Sequence, residues 1–83
     1  MKNTLTRAEV REQVERYLAG GLTRDALAGW AFKQFADQEE ELLVYEADQE
    51  ALIQEMLDEL MWADTAPFAL DSPAAQSLVE RLK

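Results

Sequence analysis

The chain has 83 residues, no cysteine, no histidine and a net charge of −9. Without those two residue types there is no disulfide frame, no thiolate nucleophile, no imidazole base and none of the usual zinc ligand sets. The length admits one domain and one core, and a hydrophobic share of 48% belongs to a folded protein rather than to a disordered acidic tail.

The N-terminal stretch MKNTLTRAEVREQ has no apolar run of signal-peptide length. No later run approaches the roughly 20 apolar residues that span a bilayer, so a cytoplasmic protein with no membrane contact is expected. Thr6 followed by Glu9 forms a capping box. The Thr hydroxyl is placed to accept from the Glu9 N–H, and the Glu carboxylate to reach back to the Thr6 N–H. Leu5 and Val10 occupy the staple positions, and Val10, Val14, Tyr17 and Leu18 recur at helical spacing. Gly20-Gly21 stops this first helix, because glycine takes the left-handed cap conformation without a Cβ clash.

Thr23 caps a second helix, with Asp25 at the positive end of its dipole. Leu27, Trp30, Ala31 and Phe35 form its apolar face, with Ala26 and Phe32 beside it. The short Gly20-Gly21-Leu22 link predicts an antiparallel hairpin of helices one and two. From Asp37 onward, Leu42 and Tyr45 extend backward the stripe of Leu52, Ile53, Met56, Leu57, Leu60 and Met61. No Gly or Pro interrupts it, which predicts one long helix from Asp37 to Ala63; a break near Glu46–Asp48 is the alternative. Thr65-Ala66-Pro67 ends it, and Phe68 and Leu70 are expected to tuck back onto the core. Ser72 as N-cap and Pro73 at the first helical position open a last helix with Ala75, Leu78, Val79 and Leu82 on its buried face. No strand pattern and no repeat stands out. The predicted architecture is all-α, a single domain over residues 1–83 built as an antiparallel bundle of three to four helices.

Charge is the distinctive feature. Between Lys33 and Arg81 there is no Lys or Arg, and the acids there include Asp37, Glu39, Glu40, Glu41, Glu46, Asp48, Glu50, Glu55, Asp58, Glu59 and Asp64. A merely solvated helix face usually mixes signs. Like pairs such as Glu46–Glu50 and Glu55–Glu59 each cost about 0.2–0.5 kcal/mol. Such a field opposes direct binding of nucleic acid and attracts a cationic protein. The residues expected to face that partner are Glu39, Glu40, Glu41, Glu46, Glu50, Glu55 and Glu59. Trp62 and Tyr45 are candidate aromatic anchors, each with a core position as its alternative; Trp30 reads first as core.

Other chemistries fit poorly. A calcium loop starting at Asp37 would put Leu42 where the turn needs glycine and Asp48 where it needs glutamate. A di-iron carboxylate bundle needs histidine. Paired carboxylates doing acid–base work need a water-excluding cleft, for which so small a bundle has little volume. No enzyme activity, cofactor or metal is expected.

The segment Val14-Glu15-Arg16-Tyr17-Leu18-Ala19-Gly20-Gly21-Leu22-Thr23, running on to Leu27 and Trp30, resembles the first helical hairpin of small bacterial immunity proteins of the colicin D type. The shared layout is an aliphatic position, an aromatic–Leu pair, a Gly turn, and an aliphatic–hydroxyl pair opening the next helix. The later LDELMWADTAPFALDSPAAQSLVERL is similar in layout to that family's closing part. The stretch from Asp37 to Glu50 has no counterpart, so no partner-contacting residue carries over. The resemblance implies a non-enzymatic helical protein whose acidic face plugs the basic groove of a nuclease toxin. The rival expectation is a structural or oligomerisation module, with an apolar stripe wider than a small bundle covers.

Overall fold

Thr6 and Thr23 open the first two helices as their side chains predict. In the computed structural model, which describes residues 3–65 and 71–83, Thr6 Oγ1 accepts from the Glu9 N–H at 3.1 Å and starts α1 (Arg7–Leu18). The Glu9 carboxylate does not close the box on the main chain; it accepts from the Thr6 hydroxyl at 3.2 Å. Thr23 Oγ1 accepts from the Ala26 N–H at 3.1 Å and starts α2 (Arg24–Glu39). Between them Gly20 turns left-handed at φ 85°. The Gly20 N–H donates to the Tyr17 carbonyl at 3.1 Å and the Gly21 N–H to the Arg16 carbonyl at 2.9 Å. These two bonds are the Schellman pair that satisfies otherwise orphaned carbonyls at a helix end.

The long helix expected from Asp37 to Ala63 is not formed. Glu41 takes the left-handed conformation at φ 63° and stops α2 with the same two bonds: Glu41 N–H to the Gln38 carbonyl at 3.1 Å and Leu42 N–H to the Asp37 carbonyl at 2.8 Å. The chain leaves this turn extended, as β2 (Leu43–Tyr45), which pairs in parallel with β1 (Asn3–Leu5) in the register Asn3↔Leu43, Thr4↔Val44, Leu5↔Tyr45. The Asn3 N–H donates to the Leu42 carbonyl at 3.3 Å and the Glu46 N–H to the Leu5 carbonyl at 2.9 Å. A second left-handed residue, Asp48 at φ 66°, and a Gln49 N–H bond to the Glu46 carbonyl at 3.0 Å turn the chain into α3 (Glu50–Leu60).

The all-α expectation is corrected accordingly: the protein is mostly helical and carries a two-stranded parallel sheet. The physical reason lies in the side chains of β2. Leu43 and Tyr45 are buried while Val44 between them faces out, the alternation of a half-buried strand.

The start of α4 (Ser72–Arg81) also shifts by one residue. Asp71, not Ser72, is the N-cap, accepting from the Ala74 N–H at 2.9 Å, and Pro73 falls at the second helical position. A carboxylate outcompetes a hydroxyl here because it adds a negative charge at the positive end of the helix dipole. The proposed stop at Ala66-Pro67 and the return of Phe68 and Leu70 lie outside the described residues.

One hydrophobic cluster holds the elements together. Leu5 comes from β1, Val10 and Val14 from α1, Leu27 and Ala31 from α2, Ile53, Met56, Leu57 and Leu60 from α3, and Ala75, Leu78 and Leu82 from the end of the chain. Helix α1 packs chiefly on α4, and α2 on α3 and β2. Each fully buried Leu, Ile or Met contributes about 1.5–3 kcal/mol. With this face of α3 committed to the core, its acidic side and the C-terminal end of α2 point to solvent. Among the described residues no helix is long and apolar enough to cross a membrane.

Candidate functional site

At the end of α2, Glu39, Glu40 and Glu41 are all exposed and no base stands in the last helical turn. Among the described residues none of the three forms an ion pair; the nearby pair is Lys33 with Asp37, 3.1 Å apart. A helix C-terminus carries the negative end of the dipole and favours cations. Three carboxylates here act against both the dipole and each other, and the local field strongly favours an incoming positive charge.

The acidic face of α3 is different. Arg81 reaches across from α4, with Nη2 2.6 Å from Glu55 Oε1 and Nη1 3.8 Å from Glu59 Oε1. The Glu55 hydrogen bond, with the Glu55 and Glu59 charges behind it, holds the guanidinium pKa above its ordinary value against partial desolvation. The like pair Glu55–Glu59 is therefore bridged, which corrects the expectation that no base compensates it. Glu50 sits in the first turn of α3, where a carboxylate is favourable to the helix. Trp62, just past the helix, is 51% exposed and stands clear of the core, as the anchor alternative requires.

Two expected partner-facing residues are placed elsewhere. Glu46 is half-buried, and its Oε1 accepts from the Arg7 main-chain N–H at 2.9 Å. That carboxylate closes the first turn of α1 across 39 residues of sequence and sits on the positive end of its dipole. Tyr45 is only 9% exposed and belongs to the core, so it offers no anchor. Its hydroxyl is buried without a hydrogen-bond partner among the described residues. Burial first, and the Glu39 charge second, push its pKa above that of an ordinary phenol. Both corrections have one cause: the strand places Tyr45 inward and brings Glu46 to the start of α1.

Little else resembles a chemical site. Among the described residues no group of three or more His, Cys, Asp or Glu is placed to hold a metal ion. A shallow depression of about 380 Å³ between α1 and α4 is lined by Glu15, Leu18, Ala19, Gln76, Val79 and Glu80. Glu15 is paired with Arg11 and Glu80 with Lys83, so neither carboxylate there is poised as an unengaged acid or base. Phe32 at 62%, Leu42 at 56% and Val44 at 38% exposure are large apolar residues left in water. Sequence periodicity placed Phe32 beside the buried face of α2, but the arc closes at Leu27, Ala28 and Ala31. Two charged residues gain importance only in the structure. Arg81 sits 26 positions from Glu55, a separation that carries no pairing signal. Asp58 stands out only once its neighbours are seen to be paired.

No protein-family model, curated protein or solved structure matches this chain.

Proposed function

We propose that this chain is a non-enzymatic acidic binding protein that masks a basic partner, in the manner of an immunity protein that blocks a nuclease toxin by presenting carboxylates where nucleic-acid phosphates would lie. The observation that carries this reading is the trio Glu39, Glu40 and Glu41, exposed at the negative end of α2 with no base in its last turn and in no ion pair among the described residues. Each acid at such a place costs about 0.3–1 kcal/mol. Retaining them at a cost in stability supports a use for the charge. A nuclease needs Lys and Arg to grip phosphate, and an anionic helix end offers those cations a competing ligand. Long-range attraction would raise the association rate by roughly 10 to 10³-fold at low salt.

The test is to purify the chain from its native host at low salt and to assay any nuclease domain encoded beside it for nucleic-acid cleavage with and without the chain. Co-purification of a cationic protein and salt-sensitive loss of cleavage are expected. If neither occurs, and replacing Glu39, Glu40 and Glu41 by Gln changes stability alone, the reading is wrong.

A second reading, self-association, is favoured by the exposed Phe32, Leu42 and Val44. It does not draw on the apolar stripe of α3, whose Ile53, Met56, Leu57 and Leu60 are all buried. Light scattering over a wide concentration range decides it: a constant monomer mass removes this alternative.

A further inference from the structure

We propose that the outer face of α3, ending in Trp62, docks an arginine of the basic partner, with Asp58 pairing its guanidinium and the Trp62 indole stacking on it. This inference rests on the cationic-partner reading and adds where and by what chemistry the partner is held. Glu55, Asp58 and Trp62 follow one another at i, i+3 and i+7, a single line along the helix surface. Helical winding continues past the last regular residue. Met61 N–H donates to the Leu57 carbonyl at 2.9 Å and Trp62 N–H to the Glu59 carbonyl at 3.3 Å, so Trp62 sits one turn beyond Asp58.

The same helix already holds one arginine through its carboxylates. Arg81 spans Glu55 and Glu59, two carboxylates one turn apart. Asp58 and Trp62 are the adjacent pair at the same separation, both exposed, and Asp58 forms no ion pair among the described residues. The last turn of α3 contains no base, so its carbonyl end adds attraction for a cation at the indole. Guanidinium suits this place better than ammonium. It is planar and weakly hydrated, stacks on an aromatic face, and presents parallel donors to a carboxylate. Arg81 acts here as a positioning residue. By engaging Glu55 and Glu59 it leaves Asp58 as the open carboxylate of the face.

The experiment uses the whole chain, ¹⁵N-labelled, titrated at low salt with an arginine hexapeptide and separately with a lysine hexapeptide. The Trp62 indole N–H and the Asp58 amide should shift and saturate, with the arginine peptide bound about three- to fivefold more tightly. Trp62→Ala and Asp58→Asn should each abolish that preference while leaving weaker, salt-sensitive binding. Both positions are exposed, and unchanged far-ultraviolet circular dichroism verifies the fold. Shifts confined to residues 39–41, or equal affinity for the two peptides, would overturn this inference and leave the cationic reading standing. No shift with either peptide would remove both.

Discussion

Glu41 occupies at the end of α2 the left-handed place that Gly20 occupies at the end of α1, and in each case that residue and the next donate the same pair of main-chain hydrogen bonds. The two stops differ only in the residue that bears the unusual dihedral. For glycine that conformation is nearly free; for an L-residue with a Cβ it costs about 1–2 kcal/mol. Glu41→Gly is therefore expected to stabilise the protein by about 0.5–1 kcal/mol, part of the relief being offset by the greater freedom of glycine in the unfolded chain. An upward move of the urea midpoint at constant slope checks it. An unchanged or lowered midpoint would mean that the Glu41 side chain supports the turn.

The reciprocal change isolates backbone strain from crowding. A Cβ added at Gly20 meets no heavy atom within 4 Å. Gly20→Ala is thus free of steric clash, and any cost must arise from φ. A loss of about 1–2 kcal/mol is expected. A neutral Gly20→Ala in the same urea titration would show that the turn relaxes to another conformation at no cost.

This equivalence also explains which parts of the fold were legible in the sequence. The N-caps at Thr6 and Thr23 and the stop at Gly20 are local devices, each written in a residue type that does little else so well. The break after Glu39 relies on an acidic residue in a glycine's role, and the turn at Asp48 on another. Neither type announces a stop, so the apolar residues on both sides merged into one helical stripe. The strand that fills the gap is three residues long, and its partner lies forty positions earlier in the register Asn3↔Leu43. So short a strand cannot show a period against the flanking leucines, and the energy that selects it comes from contacts remote in sequence. The acidic surface was legible because exposure of charge needs no knowledge of the fold. Which carboxylates remain open to a partner was not, because Glu46 and Glu55 are engaged by Arg7 and Arg81 from distant segments.

The Glu46–Arg7 contact gives a direct measure of that distinction. Replacing Glu46 by Ala leaves the first N–H of α1 without its acceptor, at an expected cost of about 1–2 kcal/mol. Glu46→Gln keeps an acceptor oxygen and loses only the charge, so it should cost less than half as much. Glu40→Gln, at an exposed position with no ion pair among the described residues, should be neutral or stabilising. The three denaturation midpoints should fall in that order. If Glu46→Ala matched Glu40→Gln, the cap would contribute nothing.

Tyr45 joins the core to the pH response. Its buried hydroxyl has no hydrogen-bond partner among the described residues, and leaving such a group in an apolar setting costs about 1–3 kcal/mol. Tyr45→Phe removes the oxygen and preserves the ring, so stability near neutral pH should rise by about 1 kcal/mol. The raised pKa of Tyr45 in the folded chain has a sign that follows from linkage. In the unfolded chain the phenol loses its proton near pH ~10, and in the folded chain only at higher pH. Between those values the unfolded state binds fewer protons than the native state, so stability is fully present below pH ~10 and falls as pH rises toward the folded value. Urea midpoints of the parent and Tyr45→Phe, measured from pH 8 to pH 11, should therefore diverge further above pH ~10, where the variant lacks this component of alkaline destabilisation. Parallel curves across that window would show that the Tyr45 hydroxyl titrates alike in both states and is reached by water in the folded protein.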